Sequence, residues 1–101
     1  MIVEFSIIPI GKGESLSQYI AKIIDIVDKS GLPYKLTAMG TIVEGEWDDI
    51  MELIKECHFK MREYCNRVYT KITIDDREKA KNRIEEKVRA VEEILGRKVS
   101  K

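Results

Sequence analysis

Tyr34-Lys35-Leu36-Thr37-Ala38-Met39-Gly40-Thr41-Ile42-Val43-Glu44-Gly45 decides the architecture of this chain. Two short β-prone runs flank Met39-Gly40, the expected turn, so the stretch reads as a hairpin. Leu36 and Val43 then share one face, and Lys35, Thr37, Ile42 and Glu44 share the other. Towards the N-terminus, Leu16, Ile20, Ile23, Ile24 and Val27 recur at helical period and commit one face of a helix to a core. Ser15 and Gln18 have capping-box spacing at its start, and Ser30-Gly31-Leu32-Pro33 stops it. Towards the C-terminus, a second helix is expected over about residues 47–62, with Ile50, Leu53, Ile54, Cys57 and Met61 on its inner side.

Further out, residues 2–9 (IVEFSIIP) alternate Val3, Phe5 and Ile7 against Glu4 and Ser6, the pattern of a strand with one buried face. Ile10-Gly11-Lys12-Gly13 turns the chain into the first helix. Val68 to Ile74 (VYTKITI) is the last strand, and Asp75 or Asp76 is expected to cap a charged final helix that runs to about Leu95 and ends at Gly96. The order is βαββαβ with an extra C-terminal helix. That is the ferredoxin-like α+β sandwich, two helices on one face of an antiparallel sheet.

The 101 residues fit a single domain spanning 1–101. Lys plus Arg equals Asp plus Glu, 18 against 18, which argues against a nucleic-acid partner, since phosphate neutralisation demands a basic excess. The opening run carries Glu4 and lacks the basic region and long apolar stretch of a signal peptide or membrane span. Two cysteines eight residues apart, Cys57 and Cys65, form no CxxC pair, and together these features suggest a cytoplasmic chain. A 36% charged content rich in Lys and Glu matches the profile of heat-adapted proteins.

The sheet's second face carries Ile8, Ile42 and Tyr69 with no early helix to cover it. The final helix has a thin stripe of Ile84, Val88, Val91 and Leu95, backed by Glu85–Arg89 and Glu93–Arg97 pairs, which is the seam of a coiled coil. Contact with a neighbouring subunit is the favoured reading, and folding back over its own sheet is the alternative.

Chemistry-bearing residues are sparse. Gly11-Lys12-Gly13 precedes a helix but has no phosphate-loop spacing, so a turn with a solvated Lys suffices. Cys57 belongs to an apolar helix face while His58 points elsewhere, which defeats both a metal site and a Cys–His nucleophile. Asp48-Asp49 and Asp75-Asp76 are explained as helix-start acids. Tyr34, Trp47, Tyr64 and Tyr69 are too scattered for a base-stacking platform. The hairpin places Thr37, Thr41 and Glu44 in one short β segment, with Ser6 adjacent on the first strand. Glu44 could simply pair with Lys35, or it could hold a small cationic heterocycle.

Pro9-Ile10-Gly11, Ser15, Tyr19-Ile20-Ala21, Ser30-Gly31-Leu32-Pro33-Tyr34, Thr37-Ala38-Met39-Gly40-Thr41, Glu44-Gly45 and Arg67-Val68-Tyr69-Thr70-Lys71-Ile72 together resemble the thiamine-binding protein family, across essentially the whole chain. The resemblance implies a ferredoxin-like subunit, homotetramers built as dimers of dimers, and non-catalytic binding of thiamine or its hydroxymethylpyrimidine half, with no cofactor. Its hairpin motif falls on Thr37, Met39, Thr41 and Glu44. By that resemblance Glu44 accepts hydrogen bonds from the aminopyrimidine and offsets the thiazolium charge, a contribution of ~1.5–3 kcal/mol. Ser6 and Thr37 add polar contacts, and Met39 or Trp47 packs on the ring. The competing expectation is an oligomeric regulatory module for another small effector or an anion. An enzyme ranks last, for want of a nucleophile–base pair, a paired-carboxylate cleft or a metal-ligand cluster.

Overall fold

The computed structural model describes residues 1–13, 16–79 and 82–100. Its elements are β1 (Ile2–Ile10), α1 (Ser17–Lys29), β2 (Tyr34–Thr37), β3 (Gly40–Glu44), α2 (Trp47–Arg62), β4 (Arg67–Asp75) and α3 (Arg83–Leu95). The four strands form one antiparallel sheet in the order β2-β3-β1-β4, the expected ferredoxin-like α+β arrangement with a helix added at the end.

Alternation along β1 sets the two faces. Val3, Phe5 and Ile7 are buried beneath α1 and α2, where they meet Val43 and the inner residues of both helices. Ile50, Leu53, Ile54, Cys57 and Met61 are all buried, as the spacing in the second helix requires. Register pairs Val3 with Val43 and Phe5 with Thr41, so Thr41 lies on this covered side, whereas Ile42 and Glu44 lie on the open side with Glu4 and Ser6. No described helix is long and apolar enough to cross a membrane.

Several local expectations shift. The hairpin turns at Ala38-Met39, with Thr37 opposite Gly40, so Gly40 is the first residue of β3. The slide moves the register by two residues and leaves each side chain on its expected face. α1 starts at Ser17 with Leu16 in the cap position, and the expected Ser15 cap falls outside the described residues.

α3 starts later than expected. Asp75 ends β4, and Asn82 fills the N-cap position with a φ of 56° and no side-chain cap bond. The capping carboxylate comes instead from Glu44, whose oxygens accept the backbone N–H of Arg83 at 2.8 Å and of Ile84 at 3.3 Å. Asp75 is taken by the Arg83 guanidinium, which also donates to the Asp75 carbonyl at 2.9 Å. A charge pair between Arg89 and Glu86 stands on α3 where one with Glu85 was expected. Along the expected stripe, Ile84 and Val88 are half-buried while Val91 and Leu95 are exposed.

Candidate functional site

Strand β1 outruns the hairpin. Its ladder with β3 stops at Phe5, while the ladder with β4 continues to Ile10. The stretch beyond Phe5 therefore has an open flank, and α1 lies across it. The result is a cavity of about 270 Å3 bordered by Phe5 to Ile8, by Ile20, Ile23 and Ile24 of α1, and by Leu36 to Thr41 of the hairpin. Its walls are mainly apolar, with a few hydroxyls, the usual composition of a small-ligand site.

Four of the six residues expected to touch a ligand border this cavity: Ser6, Thr37, Met39 and Thr41. Their hydroxyls are not equivalent. Ser6 Oγ donates to the Met39 carbonyl at 3.1 Å. Thr37 Oγ1 donates to the Gly40 carbonyl at 2.8 Å and accepts from the Met39 and Gly40 amides at 3.2 Å. Both hydroxyls thus build the turn, as short polar side chains commonly do. Thr41 is only 5% exposed and makes no side-chain hydrogen bond among the described residues. Among the described residues no fully enclosed polar side-chain atom lacks a partner. The Thr41 hydroxyl is therefore not fully enclosed, and Thr41 borders the cavity. Met39, 82% exposed, stands at the rim as a flexible thioether.

Gly40 holds this corner together. A Cβ on Gly40 would sit 2.9 Å from Ser6 Oγ, 3.1 Å from the Phe5 carbonyl oxygen and 3.3 Å from Glu4 Cγ. A side chain here would turn Ser6 Oγ aside and push β1 and the hairpin apart by a few tenths of an ångström, which glycine avoids.

Glu44 and Trp47 lie apart from the cavity. Glu44 is three residues along β3 from Thr41, about 10 Å at the rise of a strand, and it pairs with Ile2 at the far end of β1. It is only 8% exposed, and its carboxylate caps α3 rather than pairing with Lys35. Trp47 opens α2 and is 54% exposed. Sequence reasoning did not single out the α1 residues Ile20 and Ile24 as cavity walls, because core and cavity positions share one helical period. Gly40 carried a signal, but one easily read as a turn residue.

The other candidates resolve into structural roles. Cys57 is fully buried, and burial first, then the neighbouring Glu56, pushes its thiol up to about 12. His58 Nδ1 lies 2.6 Å from Thr70 Oγ1 on β4. Tyr19 and Tyr64 pair with ring centroids 5.8 Å apart, beneath the ammonium groups of Lys12, Lys22 and Lys60. Among the described residues no cluster of His, Cys, Asp and Glu could hold a metal ion.

Comparison with known proteins gives a consistent picture. A family model described as "Thiamine-binding protein" matches residues 3–92. A UPF0045 protein of Methanocaldococcus jannaschii is 39% identical over 94 residues, covering 93% of this chain and 94% of that protein. A second UPF0045 protein, from Methanothermobacter thermautotrophicus, is 37% identical, covering 89% and 94%. The crystal structure of the M. jannaschii protein superposes with a TM-score of 0.83 over 91% of this chain and 95% of that one, at 40% identity. A candidate thiamine biosynthesis/salvage protein from Thermotoga maritima superposes with a TM-score of 0.78 at 27% identity, covering 89% and 96%. None of these names is that of an enzyme.

Proposed function

This chain belongs to the thiamine-binding protein family, and we propose that it holds thiamine, or the hydroxymethylpyrimidine half of it, in the cavity between α1 and the hairpin without transforming it. The observation that carries this reading is Thr41, a nearly buried threonine with no side-chain hydrogen bond among the described residues, at the border of a mainly apolar space of about 270 Å3. Small-ligand sites usually run from about 300 Å3 upward, so the space suits one heterocycle. The pyrimidine would lie between Ile20, Ile24 and Leu36 and bond Thr41, with the thiazolium at the rim near Met39. The name of the T. maritima relative supports a role in vitamer salvage.

The same reading has the chain assemble into tetramers, because Ile8, Ile10 and Tyr69 form an exposed apolar patch at one end of the open side of the sheet. Calorimetric titration of thiamine and hydroxymethylpyrimidine, on protein sized by light scattering, tests both parts. Heat from at least one vitamer is expected, and Thr41→Val should weaken it about tenfold, as loss of a hydrogen bond to a buried polar group does. Absence of heat from both at high protein concentration ends the ligand reading, and a monomer ends the assembly.

A second reading, a regulatory module for an anion, has one observation in its favour. Lys12, Arg62 and Arg67 border a cleft of about 410 Å3 and, among the described residues, make no ion pair. Inorganic phosphate in the same calorimeter is the arm that would favour it.

A further inference from the structure

Glu4 stands on the open side of the central strand, opposite Ile42 on β3 and Thr73 on β4. Its stem leans over Gly40, since Cγ would lie 3.3 Å from a Cβ built there, beside the Ser6 hydroxyl. Ser6 and Gly40 both border the cavity, so the Glu4 stem lies beside two residues of its lining on the open side of the sheet. Lys35, Lys71 and Asp75 share that side of the sheet. Among the described residues Glu4 nevertheless makes no ion pair and no hydrogen bond, and it is exposed.

Glu44 is in the opposite condition. Two amides of α3 already face its oxygens, and it lies at the other end of β3. A quaternary thiazolium has no N–H to donate, so a carboxylate can recognise it only through charge. The carboxylate best able to do so is one near the cavity that still lacks a counter-charge.

We propose that Glu4 selects a positively charged heterocycle over its neutral counterpart at this cavity. The proposal rests on the ligand reading above and assigns the charge contact to a residue outside the hairpin motif. Thr41 then fixes the neutral ring, and Glu4 reads the charge of whatever is attached to it. A contact of this kind at a solvent-facing rim is moderate in strength and screened by salt.

The test is a titration of cationic thiamine and of neutral hydroxymethylpyrimidine, in mildly alkaline buffer at low salt, into the full chain, Glu4→Gln and Glu44→Gln. Glu4→Gln is expected to weaken thiamine about five- to tenfold and to leave hydroxymethylpyrimidine within about twofold, and the difference should shrink near 0.5 M salt. If Glu4→Gln weakens both probes alike, or neither, Glu4 does not read charge and the ligand reading stands without it. A selective loss in Glu44→Gln, with Glu4→Gln unchanged, moves the charge contact to Glu44 and overturns the proposal. If the unaltered chain binds neither probe, the ligand reading fails first and takes Glu4 with it.

Discussion

On the covered side of the sheet, Val3, Phe5, Ile7 and Val43 meet Ile50, Leu53, Cys57 and Met61 in a continuous apolar layer. On the open side, the described cover is the start of α3, half-burying Ile84 and Val88 and fastened by two amides on one carboxylate. The first attachment is spread over many contacts, each full burial contributing ~1.5–3 kcal/mol, so no single residue decides it. The second is concentrated in Glu44 and in the Asp75–Arg83 pair. One sheet thus carries a face built by periodicity and a face built by a few specific polar bonds.

The largest effect expected from this contrast is on the covered side. Ile50→Ala should lower the unfolding free energy by about 2–5 kcal/mol, the range for deleting a well-packed core aliphatic, as read from denaturant melts. A loss well under 1 kcal/mol would mean that the apolar layer is not the main support. Glu44→Ala should cost less, about 1–2 kcal/mol, the range for losing a helix cap, and its effect should be local. Amide exchange should accelerate across α3 while α2 keeps its protection. Equal acceleration in both helices would show that the two faces melt as one unit and erase the distinction.

The smallest effect concerns acid. The Arg83 guanidinium beside Asp75 holds its carboxyl below the ordinary 3.8, chiefly through their hydrogen bond. A carboxyl lowered in the folded state adds stability above its unfolded pKa and loses it as the pH falls through the lowered value. Protection of α3 should therefore weaken slightly more below pH 3.8 in the parent than in Asp75→Asn, where this link is absent. Identical acid profiles would remove Asp75 from the attachment.

The same contrast explains what could be read from the sequence. α2 is found over the span expected, with all five inner residues buried, because repeated apolar spacing and a firm core agree there. The start of α3 was misplaced because Asp75-Asp76 offer a local cap, whereas the acid that caps it is Glu44, 38 residues before Asn82 along the chain. Local rules have no view of a partner so remote. At the hairpin, Gly40 suggested a turn residue, but its lack of a side chain serves the close approach of Phe5, Ser6 and Glu4. Of the expected ligand contacts, those beside that glycine converge on one cavity. Glu44 and Trp47, in the same sequence neighbourhood, are carried away by the straight run of β3.

The polar fastening of α3 sits at its first turn. Beyond the half-buried Val88 its apolar residues Val91, Ile94 and Leu95 are exposed, so the far end acts as a lever. From Arg83 to Leu95 the helix reaches about 18 Å at 1.5 Å per residue, so a tilt of about ten degrees at the root sweeps the tip through roughly 3 Å. Ile94, 87% exposed, rides on that tip. A displacement at Glu44 too small to disturb the sheet would thus be magnified at the far end of the lever.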